Sequence, residues 1–149
     1  MDHGSEGAGT VAEQHAARRL YRVVIVVDDA LPRWQVANIA VVLGATLGAQ
    51  GIVPLGHALT DPDGDEHPAI VEATVPVLAA PAADLSGLRR AAMDRGVLVL
   101  DFNSAARDSS TYEEYARRVE ETVPIVLGLA MHGPRRAVTS IVGNLKSLR

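Results

Sequence analysis

The sequence predicts a three-layer α/β fold, a mixed sheet of about four core strands held between helices. Three observations predict it. Strand-like apolar stretches alternate with stretches of helical period along the chain, the pattern of α/β architecture. Residues 21–27 (YRVVIVV) and 97–102 (VLVLDF) show almost no polar alternation, as expected of strands covered on both faces. The chain is 48% hydrophobic but only 3% aromatic, so its core must be built from Val, Leu, Ile and Ala, which suits a sheet under helices.

Each element has its own reason. The strand at 21–27 ends at Asp28 and Asp29. Pro32 suits the first turn of a helix, where its missing N–H would have no partner. The helix predicted over residues 33–47 is apolar almost all round, whereas an ordinary surface helix has a polar back. It is therefore expected to be sandwiched or to join copies of the chain into a homo-oligomer. Residues 52–60 read as an irregular strand, and Asp-Gly within DPDGDEHP, residues 61–68, suggests a hairpin. A strand follows over 74–80. Asp84 is placed to cap a helix running to about Arg95, with Leu85, Leu88 and Ala92 on one face and Gly96 as its stop. Ser110 and Thr111 precede Glu113 and Glu114 at capping-box spacing. They open a helix to about Glu121 with Tyr112, Tyr115 and Val119 inward. Residues 124–131 (PIVLGLAM) form the last strand, and Gly133-Pro134 opens a last helix that Gly143 closes. Residues 1–19 are Gly-rich, polar and patternless, which predicts a disordered tail holding His3 and His15, ahead of a single domain over 20–149.

Composition narrows the function classes. The chain has no cysteine, which excludes disulfides, zinc–thiolate sites and thiol catalysis. Its net charge of −4 argues against binding nucleic acid by phosphate neutralisation alone. No apolar run reaches the roughly 20 residues needed to span a bilayer. The first residues contain no apolar signal core, so a cytoplasmic protein without membrane contact is expected.

The stretches VVDDALPRWQVANIAVVLG, GHALTDPDGDEHP, VPVL, DFNSAARDSSTYEEY and GLAMHGPRRAVTSIVGNLKSLR resemble an uncharacterised bacterial family, a domain of unknown function. That family resembles the type II peptidyl-tRNA hydrolases in fold. The resemblance implies a mixed sheet with its last strand antiparallel, and an activity on acyl- or peptidyl-tRNA or a smaller acylated anion. It also implies a role for Asp101, which stands where those hydrolases have an Asp after a core strand. The turn Leu31-Pro32-Arg33-Trp34 carries no lysine where the hydrolases place lysines; Lys146 is the only lysine of the chain.

Three groups of residues are candidates for chemistry. Asp28 and Asp29 end one buried strand and Asp101 ends another. If the strands are parallel, the carboxylates share the rim where α/β sheets bind ligands and could do acid/base work, unless Asp29 and Asp101 only cap a helix and a turn. Arg33 opposes the dipole of the helix it opens, and either a bound anion or an ion pair with Asp28 or Asp29 would relieve that. Trp34 can stack on a base or pack on its own strand. Asn38, an amide on an apolar helix, needs either a backbone partner or a ligand. His132 follows a buried strand and can act as a base. Arg135 and Arg136 open the last helix as an anion cradle or a solvated basic patch. An antiparallel last strand would put them at the opposite rim from Asp29. His57 and His67 read as loop residues, although His67 sits among acids. There is no Gly-x-Gly-x-x-Gly, P-loop or nucleophile elbow, and no cofactor or metal is expected. The functional expectation is thus a domain that binds or hydrolyses an acylated anionic ligand or tRNA conjugate, with Asp29, Asn38 and Asp101 positioning water. Its alternative is a non-catalytic binding or homo-oligomeric interaction domain.

Overall fold

In the computed structural model, which describes residues 12–13 and 19–149, the chain forms a five-stranded mixed sheet with helices on both faces and a separate two-stranded ribbon. The expected tail lies almost wholly outside the described residues. The main sheet has the order β5-β6-β1-β4-β7. Its strands are β1 (Tyr21–Asp28), β4 (Val77–Ala80), β5 (Leu98–Asn103), β6 (Val126–Pro134) and β7 (Lys146–Ser147); the ribbon pairs β2 (Leu59–Thr60) with β3 (Glu66–His67). β1 and β4 run parallel, while β6 runs antiparallel to both β1 and β5. The carboxyl ends of β1, β4 and β5 therefore share one rim, with β6 lying between β1 and β5.

Alternating side chains divide two cores. On one face, Val23, Ile25, Val27, Leu127 and Ala130 pack beneath α1 (Arg33–Ala49) through Val36, Ile39, Leu43 and Leu47. On the other, Val24, Val26, Leu129 and Met131 pack beneath α2 (Ala82–Asp94) and α5 (Arg135–Val142) through Leu85, Ala92, Val138 and Val142. The short α3 (Ser104–Arg107) and α4 (Tyr112–Glu121) follow β5.

Local chemistry ends the helices. In α1 the Ile52 N–H reaches Leu47 O at 3.1 Å and the Gly51 N–H reaches Gly48 O at 3.0 Å. In α2 the Val97 N–H reaches Ala92 O at 2.9 Å and the Gly96 N–H reaches Met93 O at 3.1 Å. Both are Schellman closures around a glycine at positive φ, 70° at Gly51 and 66° at Gly96. Thr111 caps α4, its Oγ1 accepting the Glu114 N–H at 3.2 Å while Glu114 Oε2 accepts the Ser110 N–H at 3.1 Å.

Several expectations are corrected. The sheet has a fifth strand, β7, which two residues are too short to announce. Residues 52–60 do not form a continuous strand; only Leu59 and Thr60 pair, and Leu55 makes one bridge to Val71. β4 starts at Val77, because Pro76 has no N–H for the ladder. Asp84 is not a cap: α2 starts at Ala82 behind Pro81, and Asp84 lies in the first turn, where its charge still suits the dipole. The last strand runs on to Pro134, since its register with β1 continues to the pair Tyr21–Pro134.

Gly128 of β6 lies under α1, and a Cβ there would come 2.5 Å from Ile39 Cγ2. No side chain fits between strand and helix at that point. Gly128→Ala is expected to destabilise the protein by about 1–3 kcal/mol through overpacking. At Gly44 of α1 an added methyl group would meet nothing within 4 Å, so Gly44→Ala is expected to stabilise by about 0.5–1 kcal/mol. Denaturation midpoints of the two variants, moving in opposite directions, check this.

Candidate functional site

The carboxyl-end rim does not gather the expected cluster. Asp28 is buried and its Oδ1 accepts the Ala30 N–H at 2.9 Å, closing the turn after β1. Asp29 is exposed, and its N–H bonds Ala80 O at 3.1 Å, which places it toward β4. Asp101 lies on the other side, with β6 in between: it pairs with Leu129, which pairs with Val26. Asp29 and Asp101 thus share the rim but flank β6 rather than meeting. Arg33 is exposed and forms no ion pair with Asp28 or Asp29. Asn38, expected to be a buried amide, is exposed on α1.

Asp101 belongs to a polar network beside α2. Its Oδ1 lies 3.6 Å from Arg89 Nε, and its Oδ2 accepts from Asn103 Nδ2 at 2.8 Å. Asn103, 2% exposed, also caps α3, its Oδ1 accepting the Ala106 N–H at 3.1 Å. The 3.6 Å approach pairs charges without a hydrogen bond, so Arg89 Nε stays buried with an unused donor. This pair is partly exposed and contributes at most about 1 kcal/mol.

The opposite rim holds the other candidates. His132 pairs with Val23 and Leu98 and stacks on Tyr21, ring centroids 5.4 Å apart and planes within 13°. Arg135 is occupied by the backbone entering β1: its Nε donates to Arg19 O at 2.8 Å and its Nη2 to Tyr21 O at 3.4 Å. Arg136 is exposed at the start of α5. A separate, smaller hollow of about 340 Å³ at this rim includes His132 and Arg135 but none of the carboxyl-rim residues. In the ribbon, His67 Nε2 meets Asp61 Oδ2 at 2.9 Å, which with backbone N–H groups holds the Asp61 carboxyl below its usual range.

A further groove lies elsewhere. It measures about 770 Å³ and runs between α1 and the segment joining α3 to α4, with edge strand β5 as its floor. Trp34, Asn38 and Asp101 border it; Asp28, Asp29 and Arg33 do not. Tyr115 borders both this groove and a smaller one on the α2 face, which sets α4 across the open edge of β5. No residue of α4 is buried, so the helix stands off the sheet instead of sealing it.

Two features of the groove escaped the sequence reading. The first is Gln35, only 7% exposed, which is among the groove's lining residues and whose Nε2 is buried without any hydrogen-bond partner. Gln35 is the third residue of α1, a position from which glutamine often reaches back to the N–H of the capping residue. The capping residue is Pro32, which has no N–H. A proline at the cap and a glutamine three residues on were the available signal. The second is aromatic clustering. The chain has one Trp, one Phe and three Tyr. Of these five, Trp34, Phe102, Tyr112 and Tyr115 line the groove. Trp34 and Tyr112 are 70% and 79% exposed at its borders, and Tyr112 meets Tyr115 edge to face at 5.4 Å. The charged lining is Asp101 and Arg107; Arg107 is held by Asp108 at 2.8 Å, which raises the guanidinium pKa and lowers that of Asp108.

The fold is thus a mixed five-stranded α/β sheet with an open groove, bordered by aromatic side chains, at its β5 edge. The chain belongs to the family described as "protein of unknown function (DUF2000)", whose model matches residues 21–149. The fold is shared with the solved structure of a protein of unknown function from Agrobacterium tumefaciens: TM-score 0.75, 18% identity, 85% of this chain and 96% of that chain covered. No curated protein matches the chain. Among the described residues no helix is long and apolar enough to cross a membrane.

Burial holds the His132 pKa below its usual value. The folded state therefore binds its proton less readily than the unfolded state does. This contribution to stability is complete above the ordinary histidine value near 6.5 and is lost as pH falls below it. Unfolding free energy measured from pH 7.5 to 5 should fall less steeply in His132→Phe, which keeps a ring against Tyr21, than in the parent chain.

Proposed function

We propose that the chain is a binding domain for a small, largely uncharged molecule carrying a hydrogen-bond acceptor, held in the groove between α1, β5 and α4. The single observation that carries this reading is Gln35 Nε2. A buried N–H without a partner costs about 1–3 kcal/mol, and folding alone gives no return for it here. A ligand oxygen or ring nitrogen would satisfy it. The groove volume falls within the range of small-molecule sites, which bind through apolar walls and a few converging polar groups. The cationic candidates do not support an anionic ligand: Arg33, Arg135 and Arg136 lie outside the groove, and Arg107 is paired.

The expected signature separates binding from stability. Gln35→Leu removes an orphaned polar group while keeping volume, so the free protein should be as stable as the parent or more so. The probes are neutral acceptors, N-acetylprolinamide, nicotinamide, uracil and adenine. At ten times its Kd, a probe that binds adds about 1.4 kcal/mol, a rise of several degrees in Tm. That rise should vanish in Gln35→Leu. A shift that persists in the variant, or no shift with any probe, contradicts the reading.

Hydrolysis of an acyl- or peptidyl-tRNA is the second reading. It is favoured by the resemblance to type II peptidyl-tRNA hydrolases and by Asp101 on the groove border. It ranks second because Asp101 is engaged by Asn103 and Arg89, and Asp29 lies beyond β6. A peptidyl-tRNA assay at low salt is expected to show no turnover; turnover abolished in Asp101→Asn would reverse the order of the two readings.

A further inference from the structure

Resting on the groove reading above, we infer that the ligand is a flat heteroaromatic ring, presenting a carbonyl oxygen or ring nitrogen to Gln35 and its faces to Trp34 and Tyr112. The distribution of aromatic residues carries this. In a chain with so few, the core on both faces of the sheet is aliphatic, and among the described residues Phe102 is the only aromatic side chain buried in it. Four of the five collect at one groove. Trp34 and Tyr112 bury little of their area there, so packing of the fold does not account for their place. They stand on different elements, Trp34 in the first turn of α1 and Tyr112 at the start of α4. A ring inserted between such borders gains stacking contact on flat surfaces that water solvates poorly. An aliphatic ligand gains much less from them.

The polar lining fits the same occupant. Gln35 offers an amide donor in a buried position, and the exposed amide of Asn38 and hydroxyls of Ser109, Ser110 and Thr111 border the groove. Such groups read the edge of a ring while the aromatic side chains take its faces. No unpaired cation lines the groove among the described residues, so recognition falls on the ring and not on a phosphate attached to it.

Trp34 is the only tryptophan of the chain, so fluorescence excited selectively at tryptophan reports on this groove. The full chain is titrated with adenine, uracil and nicotinamide as flat probes, with N-acetylprolinamide as the aliphatic acceptor, and with adenosine against its 5′-monophosphate. The expected result is saturable quenching by at least one flat probe, a Kd about tenfold or more weaker in Tyr112→Ala, loss of binding in Gln35→Leu, and no gain from the phosphate. Tyr112 is exposed, so the variant keeps its fold. Gln35-dependent binding of N-acetylprolinamide alone would overturn the ring while leaving the groove reading in place. Binding of no probe would overturn both. Flat-probe binding unchanged in Tyr112→Ala, or a monophosphate bound more than tenfold tighter than adenosine, would also overturn the ring.

Discussion

One helix covers one face of a five-stranded sheet, and it can lie there only because β6 presents Gly128 to Ile39. Five strands at about 4.8 Å spacing make a face some 19 Å wide, whereas a helix with its side chains is about 10–12 Å across. Close approach at the centre of the sheet fixes α1 over β1 and β6. The β4 side is then covered by the segment after α1, through Ile52, Val53, Ala73 and Val75. The β5 side is left to α4, which has no buried residue and does not close it. The groove is the uncovered remainder of that face, and its floor is a strand edge. On the opposite face two helices, α2 and α5, share the sheet between them.

Within this frame two buried amides meet opposite fates. Asn103 uses both ends of its side chain, donating to Asp101 and accepting from the first turn of α3. It holds the carboxyl end of β5 to the helix that follows. Gln35 uses none of its donors. The first amide needs no ligand to account for it, and the second has no structural partner. Asp101, the carboxylate singled out by resemblance, is engaged by Asn103 and lies beside Arg89, while the unpartnered amide of Gln35 lies on α1. At the opposite rim His132 stacks on Tyr21, and the Arg135 guanidinium is tied to backbone carbonyls.

Long apolar periods were legible in the sequence. The strand at 21–27, the helix opening at Arg33, the strand ending near Phe102 and the glycine stop at Gly96 all follow from patterns carried by neighbouring residues. Elements set by distant partners were not legible. β7 exists because Lys146 and Ser147 reach Ala79 and Leu78, and the extension of β6 depends on its register with Tyr21. The site was half legible. Trp34, Asn38 and Asp101 do border one groove, but the shared mouth with Asp29 depended on a strand order that puts β6 between them. Among the amides, Asn38 drew attention because its neighbours are apolar; a turn of helix decides burial, and it turns Gln35 inward and Asn38 outward. Aromatic clustering could not be seen from spacing, because Trp34, Phe102 and Tyr112 come together only through the fold.

The proposed ligand site is one groove, with the unpartnered amide of Gln35 among its lining residues. The most direct measurement is a map of ¹⁵N and ¹³C chemical shifts in the intact chain as a flat probe that quenches Trp34 is added to saturation. The account predicts that the largest changes fall on the Gln35 side-chain amide, the Trp34 indole and the Phe102 and Tyr112 rings, with His132 and Arg135 unmoved. Changes centred on His132 and Arg135, or a Gln35 amide indifferent to a ligand that visibly binds elsewhere, would contradict it.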